Sequence, residues 1–346
     1  MKITVVNAMV PFAWGGAEHL AHHLVVNLRR SGHDADLFNI PFHRDPFHNI
    51  PVEMARLKAL RVPQADHVIS LKFPIYLLEA DNHTTWLIHQ YREVYDLWSS
   101  PYCNVPHTTD GEKVRDIVIA TDNEVLGSRE KLFTISDEVS SRLLEFNAIK
   151  APALRLPIND PEIFTGGEYE NYILASGRVS VIKRQWLLIE AMRYTDPHTK
   201  LVVVGPPDSE SERDKLHTLV ADYGLSDRVK LDLRLLSREE LARYVNNCRA
   251  VAYVPFQEDS YGYVTMEAFE AGKPVIAAED CGGMLDIVLD GQTGRVAGAD
   301  PRELASAMSF YANNETIARE HGLAARSFWR SAGINWSDTI ARLLGR

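Results

Sequence analysis

The sequence predicts an α/β protein built from two doubly wound parallel-sheet domains that face each other across a cleft. Short β-branched runs alternate with helix-period segments, the pattern of parallel strands covered on both faces. The chain has 346 residues, enough for two domains at about 150 residues each. Between Asp160 and Glu170, Asp160-Pro161 and Gly166-Gly167 break all periodicity and supply a linker.

Taken in order, Ile3–Val6 reads as a strand, Gly16–Arg30 as a helix closed by Gly32, and Ala35–Phe38 as a second strand. His67–Leu71, Thr85–Ile88 and Lys131–Ile135 follow as strands, with a Pro- and Asn-bearing loop over Ser99–Gly111. The second half is more regular. Strands at Tyr172–Ala175, Leu201–Val204, Val229–Leu233 and Ala250–Val254 are each followed by a helical pattern. Ser237 and Glu240 have capping-box spacing, Asp300-Pro301 is a cap followed by a first-turn proline, and Gly272-Lys273-Pro274 ends a helix.

Composition narrows the function. Hydrophobic residues make up 45% and charged residues 24%, as in an ordinary soluble globular protein. The net charge of −10 argues against nucleic acid as a partner; peripheral membrane contact is compatible with this balance and is not indicated by it. No apolar run approaches 18 residues. The stretch from Ile3 to Trp14 is read as a buried first strand, not a signal peptide, because Asn7 interrupts it and no small-x-small cleavage site follows. Three scattered cysteines, Cys103, Cys248 and Cys281, point to reduced thiols in the cytoplasm.

In parallel sheets, ligands bind beyond the carboxyl ends of the strands, so the strand-to-helix loops carry the chemistry. The first runs from Met9 to Glu18, and its Gly15-Gly16 suits either an anion at a helix start or a plain tight turn. The second, Gly177 to Arg184, sets Arg178 and Lys183 between a strand end and a helix. A cation beside the positive helix end needs a reason, and a diphosphate supplies one. The third runs from Glu258 to Ala268. Asp259 lies in the loop, Gly262 lets the chain approach a ligand, and Glu267 falls in the second turn of the next helix. About six acid pairs at a spacing of eight arise by chance in such a composition, so position matters here and spacing does not.

These motifs together resemble the retaining glycosyltransferases of the group 1 family, which include sucrose and mannosyl transferases. The resemblance rests on Gly15-Gly16-Ala17-Glu18, Gly177-Arg178 with Lys183, Val204-Gly205-Pro206 and the segment from Asp259 to Glu267. It continues through Ala271-Gly272-Lys273-Pro274-Val275, Gly282-Gly283 and Asp290-Gly291-Gln292-Thr293-Gly294. The resemblance implies the GT-B fold, two Rossmann-like domains. Residues 1–165 with 331–346 would form the acceptor-side domain, and 166–330 the donor domain. It implies a nucleotide-diphosphate sugar as donor, an acceptor hydroxyl, no cofactor and no metal. Arg178 and Lys183 would grip the diphosphate, with Gly15-Gly16 contributing amides. Glu267 would bind ribose hydroxyls, and the base would lie against Leu233 and Arg234. Asp259 and the backbone from Tyr261 through Gly262 and Tyr263 to Val264 would hold sugar and phosphate, with His89 approaching from the N-terminal side. Asp259, Arg178, Lys183 and His89 are thus the candidate catalytic residues. The family pattern has Glu where Asp259 stands, which keeps the charge on a side chain one methylene shorter. Two other readings stay open: a nucleotide-sugar epimerase of the same fold, or a nucleotide-sugar-binding protein with a weakened site.

Three features are read as decoys. His19, His22 and His23 share a helix but lack the carboxylate that would complete a zinc motif. Asp34-Ala35-Asp36 opens a strand at the edge of a parallel sheet where ligands do not bind. Tyr91, Tyr95, Trp98 and Tyr102 surround Arg92 and Asp96 at near-helical spacing and suit either core packing or an acceptor surface. Trp336 is expected to anchor a terminal helix.

Overall fold

A computed structural model describes residues 1–9, 15–62 and 64–345. The chain divides into two compact units, residues 1–157 with 334–346, and residues 158–333, against sequence-based boundaries of 166 and 331.

In the N-terminal unit the order is β1 (Lys2–Met9), α1 (Gly16–Arg30), β2 (Asp34–Pro41), α2 (Ile50–Lys58), β3 (His67–Ser70), β4 (His83–Leu87), α3 (Thr109–Gly127), β5 (Lys131–Thr134) and α4 (Asp137–Asn147). Among the described residues these strands form one parallel sheet, ordered β2-β1-β3-β4-β5. The order reverses between β1 and β3, which puts the ligand-binding crevice of such a sheet beyond their carboxyl ends. β3 and β4 are buried at every position, as expected for strands covered on both faces.

One expectation needs correction. The segment read as a loop to Gly111 becomes helical at Thr109, because the Thr108 hydroxyl accepts from the Gly111 amide and caps α3. The aromatic run from Tyr91 to Tyr102, near-helical in its spacing, forms a 3₁₀ turn at Arg92–Val94 followed by further turns. Two of its four aromatics are core, and Trp98 and Tyr102 are half-buried. Tyr91 and Tyr95 are buried, and the Tyr95 and Tyr76 hydroxyls donate to the two oxygens of Asp122, a wholly buried acid on α3.

In the second unit β6 (Ile173–Ser176), α5 (Gln185–Ala191), β7 (Leu201–Val204), α6 (Glu210–Asp222), β8 (Val229–Asp232), α7 (Arg238–Asn247), β9 (Ala250–Ala252), α8 (Tyr263–Glu270), β10 (Val275–Ala278), β11 (Gly294–Ala297), α9 (Pro301–Asn313) and α10 (Glu315–Ser331) follow in order. The sheet is parallel and ordered β11-β10-β9-β6-β7-β8. The chain steps outward from β6 to β8, then returns to lay β9 on the other flank of β6. That reversal opens a crevice between the loops that leave β6 and β9. The capping box at Ser237 and the Asp300 cap form as the sequence predicts.

The last helix, α11 (Trp336–Leu343), belongs to the N-terminal unit. Trp336 meets Trp86 of β4 edge-on at 6.3 Å, and the Leu343 carbonyl accepts from the Thr84 hydroxyl at 2.9 Å. Asp34 and Asp36 are exposed on β2, where Asp36 pairs with Arg29.

Candidate active site

In the second unit, glycines let the loops at the reversal point touch. Gly177 (φ +113°) ends β6 and Gly205 (φ +127°) ends β7, and a Cβ on Gly205 would lie 2.2 Å from the Gly177 carbonyl oxygen. No other residue fits. The Val179 amide donates to Pro206 and the Asp208 amide to Val179, both at 2.9 Å, while the Phe256 amide reaches back to Ile182. Gly262 (φ +72°) starts α8, and a Cβ there would meet the Tyr253 ring at 2.7 Å. The N-cap of α8 is this glycine, which has no side chain to cap the helix, and the positive end of the helix lies at the crevice.

The charged residues are arranged around that helix start. Arg178 is half-exposed and pairs with Asp208 at 2.9 Å. Lys183 donates to the Tyr253 hydroxyl at 2.8 Å and to the Glu258 carboxylate, and Tyr253 in turn donates to Glu258 at 2.8 Å. Both expected diphosphate cations therefore already carry an acidic partner. Arg184, one residue on, is a different kind of cation. It is buried with a left-handed backbone (φ 56°), and its guanidinium donates to the carbonyls of Val254 and Pro255 and to both oxygens of Asp280. It ties the β6 loop to the loops after β9 and β10.

Glu267 is buried on α8 and accepts from Arg238 at 2.5 Å. Burial pushes its carboxyl pKa up, against the pull of the guanidinium. Arg238 also donates to the Asn159 carbonyl and lies 3.5 Å from Asp160, so the linker and two helices meet at this acid. Asp259 is buried in the loop before α8. The Tyr261 side chain packs edge-on against Trp329 of α10 at 6.3 Å, leaving only its backbone for a ligand. Tyr263 and Val264 open α8, and a Cβ on Gly177 would lie 3.5 Å from the Val264 side chain. Arg234 is exposed and forks onto Asp232 at 2.7 and 2.8 Å, with Leu233 between them in sequence.

Gly15, Gly16 and His89 belong to the N-terminal unit. The Gly15 amide donates to Glu18 at 3.0 Å, and the other Glu18 oxygen accepts from Lys72 at 3.0 Å. Burial alone would raise the Glu18 pKa, but Lys72 and the local amides outweigh it and hold the carboxyl below its ordinary value. Gly16 is the first residue of α1, and residues 10–14 lie outside the described residues. His89 follows β4; its Nδ1 lies 2.6 Å from the Gln90 carbonyl oxygen, and its own carbonyl accepts from Phe73. Among the described residues no group of three His, Cys, Asp or Glu side chains is placed to hold a metal ion.

Sequence reasoning did not identify Asp208, Tyr253, Glu258 or Arg238 as partners of the site, nor the locking role of Arg184. Arg238 had a readable signal. It is a cation in the first turn of a helix, the same anomaly that singled out Lys183.

Comparison with known proteins bears on the second unit first. Residues 159–328 match the model for glycosyl transferases group 1. The D-inositol 3-phosphate glycosyltransferase of Stackebrandtia nassauensis is 27% identical over 72% of this chain and 62% of its own. That of Frankia alni is 35% identical over 50% of this chain and 44% of its own. The chain thus spans less than two thirds of either relative. Among solved structures, sucrose-phosphate synthase from Thermosynechococcus elongatus superposes with a TM-score of 0.75 at 18% identity, covering 98% of this chain and 97% of the other. HepE of Anabaena in complex with UDP-glucose gives 0.73 at 15% identity, with 98% of both chains covered. These likenesses show a shared fold, GT-B. Residues 159–328 are thus similar to the glycosyl transferases group 1 family, and the chain has the GT-B fold.

Proposed function

We propose that this protein is a retaining glycosyltransferase that moves a sugar from a nucleotide diphosphate to an acceptor hydroxyl without a metal ion. The observation that carries this reading is the crevice between the β6 and β9 loops in the family-matched unit. Arg178 and Lys183 lie on the loop that leaves β6, and the glycine-started α8 follows the loop that leaves β9; this supports ligand binding there, because such sheets bind ligands beyond the strand ends at the reversal point. The printed names of the relatives support sugar transfer, and the UDP-glucose bound to HepE supports a nucleotide-sugar donor.

The chemistry follows from charge. As the bond between sugar and phosphate breaks, negative charge grows on the departing diphosphate. Arg178, Lys183 and the first amides of α8 are fixed donors for that charge, each worth about 2–4 kcal/mol where comparable donors have been removed. Glu267 would accept from ribose hydroxyls with its buried carboxylate, and Asp259 with the backbone from Tyr261 to Val264 would hold the sugar. Leu233 and Arg234 would border the base, while Gly15, Gly16 and His89 would serve from the acceptor side. With one acid facing the sugar, no carboxylate nucleophile is needed. The leaving phosphate oxygen would take the acceptor's proton on the same face, which retains configuration. Three free cysteines suit a reducing cytoplasm.

The test is a panel of nucleotide-sugar donors with candidate acceptor alcohols, followed by nucleotide release and by the anomeric coupling of the product. Release of the diphosphate with a retained anomeric centre, unchanged in excess chelator, is expected. An inverted product, or activity lost to chelator and restored by one divalent ion, contradicts the mechanism. Binding without release marks a binding protein, and isomerised donor marks an epimerase.

A further inference from the structure

The acid paired with Lys183 is not the acid that the motif points to. Asp259 occupies the motif position, yet the carboxylate in contact with the ammonium is that of Glu258, one residue earlier. Three polar groups close a ring there. Lys183 donates to Tyr253 and to Glu258, and the Tyr253 hydroxyl, accepting from Lys183, spends its own proton on Glu258. Only about a fifth of the Lys183 side chain and 15% of that of Glu258 are exposed, so the pair is shielded more than an ordinary surface bridge.

The surroundings fix Glu258 in place. Its amide donates to Cys281 at 2.9 Å, and its carbonyl accepts from Gly283 at 2.9 Å. Gly282 (φ +68°) packs so tightly on this loop that a Cβ would lie 2.6 Å from the Glu258 oxygen and 2.7 Å from its nitrogen. The Tyr253 ring is held in turn by Gly262 at the start of α8. The carboxylate is therefore delivered to Lys183 by a rigid loop, unlike Asp208, which meets Arg178 at a half-exposed position.

We infer that Glu258 is a built-in occupant of the diphosphate position: it neutralises Lys183 in the free protein and competes with the diphosphate for that ammonium. This rests on the reading of the site given above. A phosphate drawing on Lys183 must displace the Glu258 carboxylate or lie beside it, and either arrangement weakens the hold on an anion. The cost applies equally to the diphosphate product, so Glu258 favours its release. Glu258 is a positioning residue, acting through Lys183 and not on the sugar.

The experiment is calorimetric titration of UDP, GDP and inorganic pyrophosphate into the wild type, Glu258→Gln and Glu258→Asp. Glutamine keeps an acceptor oxygen for Lys183 and Tyr253 while removing the charge. It should tighten diphosphate binding about tenfold (~1.4 kcal/mol) and lower the concentration at which the product inhibits turnover by a similar factor. Glu258→Asp keeps the charge and should show no tightening. If Glu258→Gln does not fold, Glu258→Ser carries the same expectation. Equal or weaker binding by the neutral variants, with the wild type binding normally, overturns the inference alone and marks the ring as merely structural. If no nucleoside diphosphate binds the wild type or the variants, the donor-site reading falls and the inference falls with it.

Discussion

Two neighbouring cations in one loop, Arg178 and Arg184, have opposite fates, and burial separates them. Arg178 is half-exposed with a single acidic partner, so it is available to a ligand. Arg184 is 4% exposed and spends its guanidinium on two carbonyls and a carboxylate. Replacing Arg178 by alanine should leave the fold intact and lower turnover by about a hundredfold or more, the loss typical of a removed transition-state donor. Steady-state rates near those of the wild type would contradict its role. Arg184→Ala should instead destabilise the protein by about 3 kcal/mol, because it leaves Asp280 and two carbonyls without their partner. Urea denaturation reads this directly, and an unchanged midpoint would show that the guanidinium does not lock the loops.

At the scale of elements, the N-terminal sheet carries a stability device that depends on pH. His67 on β3 and His83 on β4 are buried, with Nε2 at 2.8 Å from the hydroxyls of Thr84 and Ser70. Burial, reinforced by Lys131 for the first and by Arg129 for the second, lowers their pKa values from 6.5 to about 4 and about 3. The unfolded chain then binds more protons than the folded one below pH 6.5. The stability these rings contribute is fully present above that value and is lost as pH falls from 6.5 toward 4 and 3. The unfolding free energy should drop by roughly 1–2 kcal/mol per histidine between pH 7 and 5, and His83→Gln should remove one such share. A flat profile in the wild type would contradict the buried neutral rings. Other elements were harder to foresee. The helices flanking the motif loops were legible because glycines and caps bound them, as at Gly16–Arg30 and Ser237. α3 was not, because its core face includes Asp122, whose acceptors are filled by Tyr76 and Tyr95, and a polar residue there breaks the apolar period. β11 is a half-exposed edge strand containing glycine and arginine, and has no alternation to read.

For the whole molecule, a net charge of −10 coexists with a crevice that gathers Arg178 and Lys183, so the charge sum does not describe the local charge of the site. Among the described residues no helix is long and apolar enough to cross a membrane. The loops of the candidate site were legible in the sequence, since Gly177, Gly262 and the cations sit at short offsets from strand ends. It could not supply their partners. Lys183 and Glu258 are 75 residues apart, and Arg238 and Glu267 are 29 apart, so only the folded sheet reveals which acid meets which base. The same topology makes Gly262 a whole-site residue. Gly262→Ala would force a side chain onto Tyr253 at a positive φ, and should weaken nucleotide binding and lower the melting temperature together. Wild-type values of both would show that α8 can shift without cost. The central claim is that the β6 and β9 loops hold a nucleoside diphosphate. It is tested most directly by titrating UDP and GDP into the wild type and Arg178→Ala. At least one nucleotide should bind the wild type with the variant weakened tenfold or more (~1.4 kcal/mol); equal binding by both proteins, or none by the wild type, would contradict it.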